Sequence, residues 1–241
     1  MRDSNSLTNW IKKYPYPRRR FIRGLLRSGI AVAAAILTRY EVTGKENLPK
    51  KGPLLIVGNH FHFIDSIGPI HATKYLLEFI GDIDMPNAPN TLKFLPAAWS
   101  TLKIEQGTPN FDALRASEAV LAQGGVLAIY PEGHVHAPPL ARALPGAAFL
   151  ALHVSAPIIP IATFSDNNYD LFGTIIKKKR RLRIWTKIGH AFGPFKSNNP
   201  DRPTREEIRE TSRIIMTNIA RLMPPSFRGD FDITQQTSKS A

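Results

Sequence analysis

The chain has 241 residues, 43% of them hydrophobic, which is enough for one sizeable core and does not demand a second domain. It contains no cysteine, which excludes disulfides, thiolate metal sites, iron–sulfur clusters and cysteine nucleophiles, and fits a reducing compartment. The formal net charge of +13 draws such a chain toward polyanions, either nucleic acid or an anionic membrane surface.

Most of that charge lies at the start. Residues 1–40 carry nine basic side chains and one acidic one, Asp3. Trp10, Tyr14, Tyr16 and Phe21 are interleaved with them and suit a lipid–water interface. The uncharged run over 29–37 is too short to span a bilayer, which takes about 20 apolar residues. No convincing cleavage site marks a secretory signal. Phe21, Leu25, Ile30, Ala33 and Leu37 form one helical stripe, with Arg23, Arg27 and Arg39 around it. This predicts an amphipathic, membrane-anchoring helical segment over 1–40, lying in the interface of an anionic leaflet. The plainer alternative is a helix packed on the domain that follows.

Beyond residue 40 the pattern alternates. "GPLLIVGN" (52–59) reads as a buried strand that ends at Gly-Asn, and 67–79 reads as a helix. "FDALRASEAVLAQGG" (111–125) reads as a helix with Asp112 near its start and two glycines at its stop. "VLAIYPEG" (126–133) is a second buried strand, 146–156 a helix, and 157–165 a short strand. The run "KKKRRLR" (177–183) holds six basic residues in seven, and reads as a solvated hairpin before a strand over 181–189. No base-stacking aromatics or recognition module accompany it, so nucleic acid is not an expected partner. Thr204 and Glu207 form a capping box that opens a helix carrying Ile208, Ile215, Ile219 and Leu222 on one stripe. Residues 224–241 read as a polar, disordered tail. The expected fold is α/β: a single domain over 41–223 with a mostly parallel sheet flanked by helices. Chemistry in such sheets sits beyond the carboxyl ends of strands, where both His60 and Glu132 fall.

The stretch "LLIVGNHFHFIDS" (54–66) carries the chemistry, and it can be read in two ways. His60 and His62, two apart, could chelate a metal together with His134 and His136 of "GHVH". Against a metallohydrolase run, Asp65 comes one residue late and Ser66 stands where a histidine is needed. In the second reading His60 is a general base oriented by Asp65, five residues on, and takes a proton from a substrate hydroxyl. No G-x-S-x-G elbow, P-loop or G-x-G-x-x-G is present.

Four blocks in order favour the second reading. "VTGKENLPKKGPLLIVGNHFHFIDS" (42–66), "VLAIYPEG" (126–133), "PGAAFLALHVSAPIIPIA" (145–162) and "IWTKIGHAF" (184–192) resemble the HX4D glycerolipid acyltransferases, the lysophosphatidic acid acyltransferase-like family. The resemblance implies transfer of a fatty acyl group from a thioester, acyl-CoA or acyl carrier protein, to a lysolipid hydroxyl in phospholipid or glycerolipid biosynthesis or remodelling. It implies His60 as base, Asp65 as its orienting carboxylate, Glu132 and Gly133 shaping the acceptor site, direct attack without an acyl-enzyme, and no metal or other cofactor. A peripheral, monotopic position on the cytoplasmic face of a membrane is the matching expectation.

Two departures bear on the acceptor. The family's third block usually continues Thr-Arg after Glu-Gly, where this chain has His134-Val135. Its second block usually has an arginine near the position of Gly107, where this chain has Gln106. Such arginines suit an acceptor phosphate because a guanidinium fork matches the oxyanion. His134 and Arg142 are the expected substitutes, with Arg115 and Lys103 next in sequence. The remaining alternatives are a metal-dependent hydrolase and a non-catalytic basic membrane binder.

Overall fold

The computed structural model describes residues 4–81, 88–103, 111–165 and 180–232. Gln106, Gly107 and residues 177–179 of the basic run lie outside them.

Two adjoining strands form the centre. In β2 (Leu54–Gly58) and β5 (Val126–Ile129) every residue is buried, because side chains alternate between two covered faces. Leu55, Val57, Leu127 and Ile129 point into one core layer, and Leu54, Ile56, Val126 and Ala128 into the other. Five more strands complete the sheet: β1 (Thr38–Thr43), β3 (Glu78–Gly81), β4 (Leu102–Lys103), β6 (Ile158–Ser165) and β7 (Leu182–Ile188). The order is β1-β7-β6-β2-β5-β3-β4, parallel throughout except for the β6–β7 pair. The fold is therefore the single α/β domain with a mostly parallel sheet that the alternation predicts.

Helices cover both faces. The first layer is closed by α5 (Phe111–Ala122), α6 (Pro145–Val154) and α7 (Arg205–Ala220), through Ala116, Val120, Leu150 and Ile215. The α7 cap forms as the sequence predicts, with Thr204 Oγ1 accepting from Glu207 N–H at 3.1 Å and Glu207 Oε2 accepting from Thr204 N–H at 2.7 Å. The second layer is closed by α3 (Ile67–Ala72), by Trp99 at the end of α4 (Leu95–Trp99), and by Leu26 and Ile30 of the N-terminal region.

That N-terminal region is two helices, α1 (Ser4–Lys13) and α2 (Arg20–Leu37). They depart from the predicted anchor in a specific way. Arg23 is fully buried, with Nη1 and Nη2 both donating to Glu78 and Nε donating to the Trp99 carbonyl at 2.9 Å. Arg18 joins the same carboxylate at 2.6 Å, and Arg27 donates to the Thr73 and Tyr75 carbonyls. These arginines face the protein and not lipid phosphates, because the domain supplies them with acceptors. Ile30 also turns inward, whereas Phe21, Leu25, Ala33 and Leu37 of the expected stripe are exposed. The boundary at residue 40 cuts β1, which starts at Thr38 and pairs with β7.

Two further expectations are corrected. The helix read over 67–79 ends at Ala72, and the chain turns into β3, whose Glu78 reaches Arg18 and, in α2, Arg23. Residues 224–232 do not behave as a free tail. They form two 3₁₀ turns, seat Phe227 and Phe231 against the core, and the Phe227 carbonyl accepts from Leu140 N–H at 2.9 Å. Two aromatics give this short segment enough apolar area to dock.

Candidate active site

The site lies where the carboxyl ends of β2 and β5 meet. The parallel register places Val57 beside Ile129, so the residues that follow each strand emerge side by side. Asn59 and His60 leave β2, and Tyr130, Pro131 and Glu132 leave β5.

Glu132 stitches the two exits together. Its side chain is fully buried, with Oε2 accepting from His60 N–H at 2.8 Å. Oε1 accepts from Ala141 N–H at 2.8 Å and lies 2.7 Å from His136 Nε2. Its oxygens are committed to internal donors, and it holds the backbone that carries His60. Gly133 follows with φ +77°, a conformation that favours glycine; a Cβ there would also meet Leu144 Cδ1 at 2.3 Å, the end of an exposed side chain that can move aside.

His60 is half-buried and stacks on Tyr130 with ring centroids 4.3 Å apart. Its Nδ1 is enclosed and has no hydrogen-bond partner. Burial first, then the neighbouring His136, His134 and His62, push its pKa down to about 3, so the ring is neutral at neutral pH.

Asp65 and the His60 ring are not hydrogen-bonded in this structure. It sits in a 3₁₀ turn over Phe63–Ser66, where the start of the turn aims N–H groups at it. Oδ2 accepts from Phe61 N–H at 2.5 Å, His62 N–H at 2.9 Å and Asn59 Nδ2 at 3.2 Å, and Oδ1 takes none of these bonds. Burial pushes its carboxyl well above the usual range, against the pull of the His62 and Phe61 N–H groups. Asp65 thus shapes the loop on which His60 stands.

Asn59 was legible only as a strand end, and its role needs the third dimension. It grips β6 from both sides, Oδ1 accepting from Thr163 N–H and Nδ2 donating to the Thr163 carbonyl, each at 2.8 Å, while Nδ2 also reaches Asp65. Thr163 and Thr186 hydroxyls continue this buried polar chain to Tyr40.

The other candidates disperse. His62 is buried in the turn, its Nδ1 accepting from Ile64 N–H at 3.4 Å. His134 and Arg142 are exposed, and Arg142 makes no ion pair among the described residues. Arg115 is held by Glu118 at 2.9 Å. Among the described residues no three His, Asp or Glu side chains are placed to hold a metal ion.

The arrangement offers a neutral imidazole on a loop whose backbone is held by the buried carboxyl groups of Glu132 and Asp65. That set suits proton abstraction from a bound hydroxyl. No curated protein matches the chain significantly. Among solved structures it is similar to the 1-acyl-sn-glycerophosphate (LPA) acyltransferase PlsC from Thermotoga maritima, at 17% identity and a TM-score of 0.54 over 88% of this chain and 83% of that one, which is a likeness of fold. The family described as Acyltransferase matches residues 39–163, more than half of the chain, from β1 to β6 and including His60, Asp65 and Glu132. The chain therefore belongs to the Acyltransferase family.

Proposed function

We propose that the protein moves a fatty acyl group from acyl-CoA or acyl carrier protein to the hydroxyl of a lysolipid. The carrying observation is His60: neutral, beyond β2 beside the exit of β5, with an enclosed Nδ1 that lacks a partner. Nε2 takes the proton of the acceptor hydroxyl as its oxygen attacks the thioester carbonyl. The C–O bond forms, the C–S bond breaks, and the leaving thiolate takes the proton from His60. A base with a pKa near 3 is weak, and efficiency rises as the pKa approaches the working pH. Closing an Nδ1–H···Oδ1 bond to Asp65 when the acceptor binds would raise it. Catalytic hydrogen bonds commonly tighten only in the substrate complex.

The acceptor follows from the missing arginines. A phosphate monoester carries more than one negative charge, and taking it out of water costs several kcal/mol unless cations or N–H groups receive it. Exposed His134 and Arg142 offer a weak substitute. Lysophosphatidic acid is therefore expected to be a poorer acceptor than a lysolipid whose phosphate is esterified. Purified protein given an acyl thioester and each lysolipid, with product followed by mass spectrometry, tests both the activity and the preference. A tenfold preference for lysophosphatidic acid, about 1.4 kcal/mol, would show that another cation receives the phosphate, with Arg142 the first residue to mutate. No acylated product from either donor would reject the reading.

The same reading puts the protein on the cytoplasmic face of a membrane, as a peripheral or monotopic enzyme. No helix among the described residues is long and apolar enough to cross a bilayer. Support comes from the outer face of α2, where Phe21 is 84% exposed, Leu25 66% and Ile36 65%. Burying a side chain of this size contributes about 1.5–3 kcal/mol. Phe21→Asp with Leu25→Asp is expected to weaken binding to anionic vesicles at least about tenfold, measured by co-sedimentation. With Arg18, Arg23 and Arg27 turned inward, salt should matter less than the sequence charge suggests. Unchanged binding by the double variant would move the contact elsewhere.

A further inference from the structure

Resting on the acyl-transfer reading, we infer that His136 is a positioning residue for the base, an imidazolium that clamps Glu132 and the loop after β5 onto the backbone of His60. Its two ring nitrogens each meet an acceptor. Nε2 lies 2.7 Å from Glu132 Oε1, and Nδ1 lies 2.7 Å from the Ala137 carbonyl. A neutral imidazole has one N–H and would set a lone pair against one of those oxygens. The carbonyl can only accept. Both Glu132 oxygens also accept a backbone N–H, so an imidazolium paired with the carboxylate satisfies every atom.

The connection to catalysis is direct. Glu132 holds His60 N–H, and His136 N–H donates to the His60 carbonyl at 3.1 Å. The peptide groups flanking His60 are thus held by Glu132 and His136. Phe61 closes the contact edge-on to the His136 ring at 5.5 Å. The ionisable groups facing His136 are Glu132 on its own loop, His134 with ring centroids 5.7 Å away, and His60 from β2.

The hydrogen bond to Glu132, chiefly, raises the His136 pKa above its ordinary value. The clamp is therefore fully formed below about pH 6.5 and is lost as pH rises through the raised value. His60 titrates far to the acid side, so it does not account for a fall in kcat/KM on the alkaline side, and loss of the clamp predicts such a fall.

Two measurements test this on the full-length enzyme. Ring ¹⁵N shifts of histidine-labelled wild type should show both His136 nitrogens protonated at pH 6, and a neutral tautomer pattern there overturns the inference whatever the activity. The pH profile of kcat/KM, with the same acyl thioester and lysolipid as the wild type, is then compared across variants. His136→Ala should lose about tenfold or more. His136→Gln, which keeps one donor to Glu132 without titrating, should recover part of that loss and lack the alkaline fall. If both variants keep the wild-type rate and profile while His60→Ala is inactive, the clamp is wrong and the acyl-transfer reading stands. If His60→Ala is itself fully active, the reading beneath it fails.

Discussion

Replacement of Glu78 by alanine is expected to lower the free energy of unfolding by about 3–5 kcal/mol, the cost of leaving a buried charge without its partner. Glu78 and Arg23 are both fully buried, and the carboxylate is bonded by both terminal nitrogens of Arg23 and by Arg18. With the carboxylate gone, Arg23 keeps only its Nε bond to Trp99. Its remaining N–H groups then face a layer of Trp99, Leu77 and Phe79. The readout is a shift of the urea midpoint at unchanged slope. Glu78→Leu combined with Arg23→Met should recover most of the loss, because an apolar pair of similar volume is near neutral or better in such a position. A loss below 1 kcal/mol for Glu78→Ala would show that water reaches this cluster and that α2 is held by its apolar contacts alone.

The same cluster marks the limit of what the sequence discloses. Strands β2, β5, β6 and β7 are legible because they are apolar runs or clean alternations, and α5 and α7 because glycines or a capping box bound them. Arg23 and Glu78 stand 55 residues apart, and nothing local tells a lipid-facing arginine from one whose acceptor arrives with a later strand. β1, "TRYEVT", is polar at alternate positions and so reads as the end of an anchor, although β7 makes it the edge of the sheet. In the site, His60, Asp65 and Glu132 are recoverable from strand ends and block order. Their roles are less so. The His60–Asp65 spacing fits a direct bond equally well as a turn in which Asp65 serves backbone N–H groups. Asn59 and His136 act through residues that the chain brings back from 104 and 76 positions away, respectively.

His60→Ala is expected to reduce acyl transfer by about 10²–10⁴-fold, the usual contribution of a general base, with the fold retained. Retention is expected because Glu132 and Asp65 hold the backbone of the loop and Asn59 ties it to β6, whereas the ring contributes a stack on Tyr130 and an unpaired Nδ1. Removing the enclosed imidazole even eliminates one unsatisfied polar atom, which limits the loss of stability. The rate of acyl transfer to a lysolipid by wild type and His60→Ala, at matched thermal midpoints, decides the central claim. The wild type should form product and the variant should reach at most about one hundredth of that rate; equal rates would contradict general-base catalysis by His60.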